Sequence, residues 1–247
     1  MNCEQEVKNR VNWLKEILAN SGCKGFIYGN SGGKDCTLVG ALCKLATDNV
    51  LGVIMPCESS RNYGQDKEDA LNASKTFGIE QIEVDLTEAK KTMVKTLVPS
   101  LEGKSGDWAY NQALININPR LRMTTLYALA QTRGYLVAGT GNADEFEVGY
   151  FTKWGDGAYD VNPIADLTVS EIYELLRYLG APEIIITKAP SAGLFEGQTD
   201  EQELGVTYAD IDKYVKGEKL DEDTFNKIDK MSKKANHKKG LPFRYQR

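Results

Sequence analysis

The 247-residue chain is poor in histidine, in paired cysteines, in long apolar runs and in excess positive charge. Its one histidine, His237, has to serve any Ser/His or His–metal mechanism. The five cysteines (Cys3, Cys23, Cys36, Cys43, Cys57) are odd in number and nowhere spaced as CxxC. That argues against a zinc ribbon, an iron–sulfur site or a dithiol redox pair. So few cysteines in a chain of this length also speak against a disulfide framework and for a reducing compartment. The longest apolar runs, such as Val50 to Met55, fall far short of the ~20 residues a membrane span needs. The N-terminal segment mixes charges with apolar residues at helical spacing and lacks the apolar stretch of a signal peptide, so a cytoplasmic location is expected. With 30 Lys and Arg against 35 Asp and Glu, the net charge is −5. Non-specific nucleic-acid binding, which depends on neutralising phosphates, is therefore disfavoured. A local basic site for a small anion is not.

What is present is the ordinary balance of a globular protein, 41% hydrophobic and 26% charged. The length suits one sizeable α/β domain, and residues 1–247 are read as one. Val7, Val11, Leu14 and Leu18 recur at helical spacing. A strand over Gly25 to Tyr28 leads into the glycine-rich GNSGGKD, and a helix begins near Asp35. Further strands are expected at Val50 to Met55, Ile82 to Leu86 and Tyr135 to Ala138. Helices are expected at Gln65 to Phe77, Thr87 to Leu97 and Arg120 to Thr132. The alternation predicts an α/β fold: a doubly wound, mostly parallel sheet with helices on both faces and a helical C-terminal part. Residues 140–166, rich in Gly, Asp and Asn, read as a long ligand-handling loop. Thr168-Val-Ser-Glu171 is a capping box opening a helix that ends near Gly180, and Thr207 to Asp210 opens another. Lys233 to Lys239 reads as a basic tail, flexible unless a ligand orders it.

Ser31-Gly32-Gly33-Lys34-Asp35 lies between a strand and a helix and has the make-up of an anion cradle. Its glycines let the backbone approach a phosphate, and the helix N-terminus aims unpaired N–H groups at it. The Walker pattern fails, because Tyr28 and Asp35 stand where a glycine and a hydroxyl are needed. The dinucleotide fingerprint fails at Asp144. What fits is SGGxD followed by Ser, here Cys36: the pyrophosphate loop of enzymes that split ATP between its α- and β-phosphates. The alternative is a tight, well-capped strand-to-helix turn without a ligand.

The later motifs sharpen the choice. Asn116-Ile-Asn-Pro119-Arg120-Leu-Arg122-Met123, Gly139-Thr140-Gly-Asn-Ala-Asp-Glu145, Gly149-Tyr150-Phe-Thr152-Lys153-Trp-Gly155-Asp156 and Asp160-Val-Asn-Pro163 follow in order. Lys188-Ala-Pro190-Ser191, Gly197-Gln198-Thr-Asp200-Glu201 and His237-Lys238 complete the set. In this order and spacing, from about residue 5 to 240, the chain closely resembles ammonia-dependent NAD synthetase. The resemblance implies amidation of deamido-NAD with ATP and ammonia through an adenylated carboxylate, in a homodimer. A glutamine-using version would need an amidase domain for which 247 residues leave no room, so free ammonia is the expected nitrogen donor.

By the same resemblance, Gly29, Asn30, Ser31, Gly32, Gly33, Lys34, Asp35, Cys36, Thr140 and Ser191 contact ATP. Asp35 and Glu145 hold Mg2+, and Arg120, Lys153, Asp160, His237 and Lys238 contact deamido-NAD. Asp35, Lys153 and Asp156 are the candidate catalytic residues, with Asp156 near the ammonia, where a carboxylate can bind ammonium and accept its proton. Each has a plainer alternative: Asp156 as a turn-former between glycines, Arg120 as a surface ion-pair partner, Thr140 and Ser191 as loop or cap residues, the His237 segment as an unordered tail. The chain departs from the family pattern at three positions. Cys36 replaces Ser, Asn118 stands where many members have Lys, and Val169 replaces a lysine that contacts ATP. Lys34 or Arg61 would have to supply the lost charge. Two rivals remain: another SGGxD-loop enzyme that forms GMP or thiolates tRNA, and a nucleotide-binding module without chemistry.

Overall fold

A computed structural model describes residues 1–58, 64–187 and 200–245. Four short strands, β1 (Gly25–Gly29), β2 (Val50–Ile54), β3 (Glu80–Glu83) and β4 (Tyr135–Val137), form one parallel sheet in the order β3-β2-β1-β4. The central strands are buried over almost their whole length, as a sheet covered on both faces requires. Phe26 and Tyr28 of β1 point to one face, where α1 (Cys3–Ser21), α2 (Lys34–Ala46), α3 (Gln65–Phe77) and a later helix contribute Leu14, Leu38, Ala73 and Ile172. Ile27, one residue out of phase, points to the other face with Leu51 and Val53. There the long helix that precedes β4 packs Leu126, Leu129 and Ala130 against them.

The expected strand at Ile82 to Leu86 is displaced: β3 pairs Leu51 with Glu80 through Ile54 with Glu83. As an edge strand with one open side it accepts Glu80 and Glu83 at exposed positions. Val84 and Leu86 still donate to the carbonyls of Ile54 and Pro56, which explains why the apolar run read as strand.

After β3 come α4 (Thr87–Leu97), a 3-10 turn, α5 (Trp108–Ile115) and α6 (Ile117–Arg133). Pro119 lies inside the first turn of α6, where its missing N–H costs nothing, so the helix starts earlier than Arg120. The segment 140–166 is not loop throughout: it contains α7 (Ala143–Val148). Next are α8 (Val169–Tyr178), α9 (Glu183–Thr187), α10 (Asp200–Leu204) and α11 (Tyr208–Val215). Lys233 to Lys239 is not an unordered tail but the end of α12 (Glu222–Lys239). Ala235 of α12 comes so close to Gly149 that an added Cβ there would lie 2.3 Å away, which draws the last helix onto the end of α7. Val148, Tyr208, Ile211 and Ile228 form the small core between them. Among the described residues no helix is long and apolar enough to cross a membrane.

Candidate functional site

The carboxyl end of β1 runs directly into the glycine turn. Asn30 is buried and holds that turn from inside: its amide donates to Ser74 Oγ (3.0 Å) and Gln81 Oε1 (3.2 Å), and its Oδ1 accepts from the Gly32 N–H (3.1 Å). Gly32 has φ +73°, and a Cβ there would lie 2.3 Å from the Asp66 carbonyl, so only glycine fits between the turn and α3. Gly33 is the N-cap of α2 and uses no side chain to cap it, which leaves the first N–H groups of α2 free to face an anion. Cys36 does not replace the missing serine as a donor toward the outside. Its thiol turns inward to the Gly33 carbonyl (3.2 Å) and Asn30 Oδ1 (3.4 Å), and burial pushes the thiol up.

Asp35, the second residue of α2, meets α7 across the cleft. Asn142 Nδ2 donates to Asp35 Oδ1 (3.0 Å), while the Asn142 main-chain N–H donates to Glu145 Oε2 (3.1 Å) and its Oδ1 accepts from the Glu145 N–H (3.0 Å). One fully buried asparagine therefore caps α7 and ties together the two carboxylates read as metal ligands. Burial, then the nearby charge of Asp35, raises the Glu145 carboxyl well above the usual range. Two neighbouring carboxylates are hard oxygen donors of the kind magnesium takes together with phosphate oxygens, so the donor set fits that ion. Among the described residues no third His, Cys, Asp or Glu joins them, which leaves the remaining ligands to phosphate and water.

Lys34 is not extended toward the outside of the turn. It is only 7% exposed, its Nζ lies 2.8 Å from Asp35 Oδ2, and the Tyr208 ring of α11 lies 5.4 Å beneath it. Burial opposes its charge, but Asp35 and Glu145 outweigh that and hold the ammonium more firmly protonated than a free lysine.

The second group of expected residues clusters one turn further along. Asp156 Oδ1 accepts from the Thr152 N–H (2.9 Å), closing the turn that carries Lys153 and Trp154. Asp156 is exposed, yet protein atoms around its carboxylate push its proton affinity up, against the pull of the Thr152 N–H. Arg120 donates to the Lys153 carbonyl (3.3 Å), and Lys153 Nζ reaches the His237 carbonyl (2.5 Å). Arg120, Lys153 and the end of α12 are thus one group. The His237 ring itself is exposed, with Nδ1 near the Lys234 carbonyl. Lys238 is already engaged by the carbonyls of Gly149 and Phe151, both at 2.9 Å, and clamps the chain that leads into the turn. Asp160 lies behind, accepting from Tyr127 (3.2 Å) and the Val137 N–H (2.8 Å) at the end of β4. Thr140 sits half-buried between β4 and α7. Ser191 and Arg61 lie outside the described residues.

Sequence reasoning missed Asn142, although Asn142-Ala-Asp-Glu145 has capping-box spacing. It also missed Arg122, half-buried with Nε on the Met55 carbonyl (3.2 Å), and Tyr208 beneath Lys34. An apolar cavity of about 280 Å3, lined by Met93, Leu97, Leu101, Leu114 and Leu121 with Arg120 at its rim, lies between α4, α5 and α6 rather than at the glycine turn.

A family model described as NAD synthase matches residues 6–242. The NH3-dependent NAD+ synthetase of Carboxydothermus hydrogenoformans is 46% identical, over 98% of this chain and 97% of its own. Of solved structures, the NMN synthetase of Francisella tularensis is 33% identical with a TM-score of 0.92, covering 99% of both chains. The NH3-dependent NAD synthetase of Campylobacter jejuni is 28% identical with a TM-score of 0.79, covering 100% of both.

Proposed function

The chain belongs to the NAD synthase family, a family of carbon–nitrogen ligases that amidate deamido-NAD with ATP and ammonia, and we propose that its active site is the cleft between the glycine turn and α7. The observation that carries this reading is the link from Asp35 through Asn142 to Glu145, placed directly beside a helix N-terminus with free N–H groups. An ionised carboxylate is a poor electrophile and its oxygen a poor leaving group. The nicotinate carboxylate therefore attacks the α-phosphorus of ATP, and pyrophosphate departs onto the N–H groups at the start of α2, Gly33 to Cys36. Ammonia then attacks the acyl carbon and AMP leaves with the bridging oxygen.

Asp35 and Glu145 would hold Mg2+, which supplies charge neutralisation on the phosphate oxygens. Thr140 and Ser191 are assigned to ATP, and Asn30 keeps the turn in shape. Arg120, Lys153 and the His237–Lys238 segment form a basic wall suited to the anionic acceptor, with Asp160 behind it. Asp156 is open to solvent, and a carboxylate crowded toward higher proton affinity is suited to bind ammonium and take its proton. The site as a whole works by positioning and electrostatics.

A homodimer is part of this reading. α4 and α5 bury no residue of their own; Met93 and Leu97 of α4 line the apolar cavity beside Arg120, and Trp108 of α5 is exposed. A second copy on that face would cover the patch and bring its own residues next to the acceptor. Mass in solution by light scattering tests this: twice the chain mass supports it, a monomer at micromolar concentration contradicts it. Residues 1–247 act as one synthetase domain in the cytoplasm in this account.

A second reading concerns the acceptor. The chain superposes more closely on the Francisella NMN synthetase than on the Campylobacter NAD synthetase, which favours testing the deamidated mononucleotide beside the dinucleotide. The deciding experiment is an incubation with magnesium–ATP, ammonium and either acceptor, omitting each component in turn and following AMP and amide product. Equal AMP and NAD, only with all components present, supports the dinucleotide reading. Preference for the mononucleotide by kcat/KM shifts the assignment, and AMP without either amide defeats both.

A further inference from the structure

Lys34 occupies an unfavourable place. It is the first residue of α2, where the positive end of the helix dipole repels a cation, and it is almost wholly withdrawn from water. A buried charge in such a place persists only if opposite charge offsets it. The offset is visible: Asp35 Oδ2 at 2.8 Å, the Glu145 carboxylate beyond it, and the face of Tyr208 below at 5.4 Å. The ring is itself held in place, because its hydroxyl donates to Asp200 Oδ2 (3.1 Å). Asp35 thus has one oxygen on Asn142 and the other on Lys34.

We propose that Lys34 is the built-in counter-cation of the metal site: its ammonium neutralises the Asp35–Glu145 pair in the free enzyme, so that a divalent ion enters with ATP rather than ahead of it. The proposal rests on the reading of Asp35 and Glu145 as metal ligands. With Lys34 in place the pocket carries one formal negative charge instead of two. A divalent ion arriving alone meets a competing ammonium on one of its donor oxygens. An ion arriving on ATP brings phosphate oxygens as further ligands, and the added negative charge of the nucleotide lets Lys34 and the metal be accommodated together. Lys34 is a positioning residue in this account. It fixes the orientation of Asp35 and sets the order in which the metal loads.

The test is metal binding rather than turnover. Full-length protein is titrated with Mn2+ and free Mn2+ is counted by electron paramagnetic resonance, without nucleotide and then with ATP. Lys34→Met keeps the length and apolar stem and removes the charge. Without nucleotide the variant is expected to bind Mn2+ at least about tenfold more tightly than the wild type, since an adjacent full charge has been removed. Its thermal midpoint should also rise more with Mn2+ than that of the wild type. Equal or weaker Mn2+ binding by the variant overturns the proposal. So does an ATP affinity that collapses while Mn2+ binding is unchanged, which would make Lys34 a phosphate ligand. If Lys34→Met does not fold, the wild type alone decides: stoichiometric Mn2+ on the free enzyme overturns the proposal, and Mn2+ held only after ATP is added supports it. Adding Glu145→Gln separates the two levels. Tight Mn2+ binding by Lys34→Met that survives Glu145→Gln removes the metal reading itself. Binding that is lost with Glu145→Gln, yet never differed between wild type and Lys34→Met, removes only the role of Lys34.

Discussion

Replacing Asn142 by alanine should damage stability and chemistry together, because one fully buried side chain serves both. Its Oδ1 caps α7 through the Glu145 N–H (3.0 Å), and its Nδ2 orients Asp35 (3.0 Å). Loss of an asparagine N-cap costs ~0.5–2 kcal/mol. Loss of a hydrogen bond to a charged group costs ~1.5–3 kcal/mol. The two contributions together amount to about 2–5 kcal/mol, which for a chain of this size lowers the thermal midpoint by roughly 4–20 °C. Asp35 would be left to turn on Lys34 alone, so kcat/KM for magnesium–ATP should fall by about tenfold or more, a change of ~1.4 kcal/mol in transition-state binding. Asn142→Asp is the informative companion. It keeps a capping oxygen, so most of the stability should return, but it sets a third carboxylate beside Asp35 and Glu145 and activity should stay low. The assays are thermal unfolding by circular dichroism and initial rates of AMP formation at varied magnesium–ATP. An Asn142→Ala enzyme with an unchanged midpoint and an unchanged kcat/KM would refute the reasoning.

Two further outcomes follow from other parts of the molecule. Gly32→Ala places a methyl 2.3 Å from the Asp66 carbonyl and 2.9 Å from the Ala70 nitrogen, at φ +73°. The left-handed conformation alone costs about 1–2 kcal/mol, and relief of the clash requires the turn to move away from α3. AMP formation should be lost with the protein still folded at room temperature; a normal rate would show that the turn does not cradle phosphate. Asp144, packed against Asp212 behind the site, has its carboxyl pushed up to about 8, first by burial and then by sharing a hydrogen bond with Asp212. A group whose folded-state pKa is raised contributes stability that is present at low pH. That contribution declines as pH climbs from the ordinary carboxylate range toward 8. Asp144→Asn, which keeps an oxygen for the Val169 N–H (2.8 Å in the native chain), should lose less thermal stability between pH 5 and pH 8 than the wild type does. Equal slopes would contradict the shared proton.

Much of this was legible in the chain itself. Amphipathic spacing marked α1 through Val7, Val11, Leu14 and Leu18, and the capping boxes at Thr168 and Thr207 marked the starts of α8 and α11. The central strands were visible because a parallel sheet buries them on both faces and leaves unbroken apolar runs. α5 was missed because Trp108 to Ile115 is apolar on nearly every side and shows no stripe. α7 was missed because six residues dense in acids carry too little periodicity, although its capping box was readable. α12 was hidden by its charge: its apolar face amounts to little more than Ile228 and Ala235. Within the site, the residue types at Asp35, Glu145 and Asp156 were readable from motif spacing. The inward turn of Lys34, the inward thiol of Cys36 and the prior engagement of Lys238 were not. Those of Lys34 and Lys238 depend on α11 and α12 arriving from far along the chain, and that of Cys36 on the way the glycine turn folds back on its own carbonyls.

The central claim is that ATP is split to carry the acceptor's carboxylate oxygen away, and isotope transfer tests it most directly. Deamido-NAD labelled with 18O in its nicotinate carboxylate is turned over with magnesium–ATP and ammonium, and the products are examined by mass spectrometry. The account predicts NAD and AMP in equal amounts, one labelled oxygen in each AMP and none in pyrophosphate. AMP free of label while NAD is formed would contradict the adenylated carboxylate and, with it, the roles given to the glycine turn and its carboxylate pair.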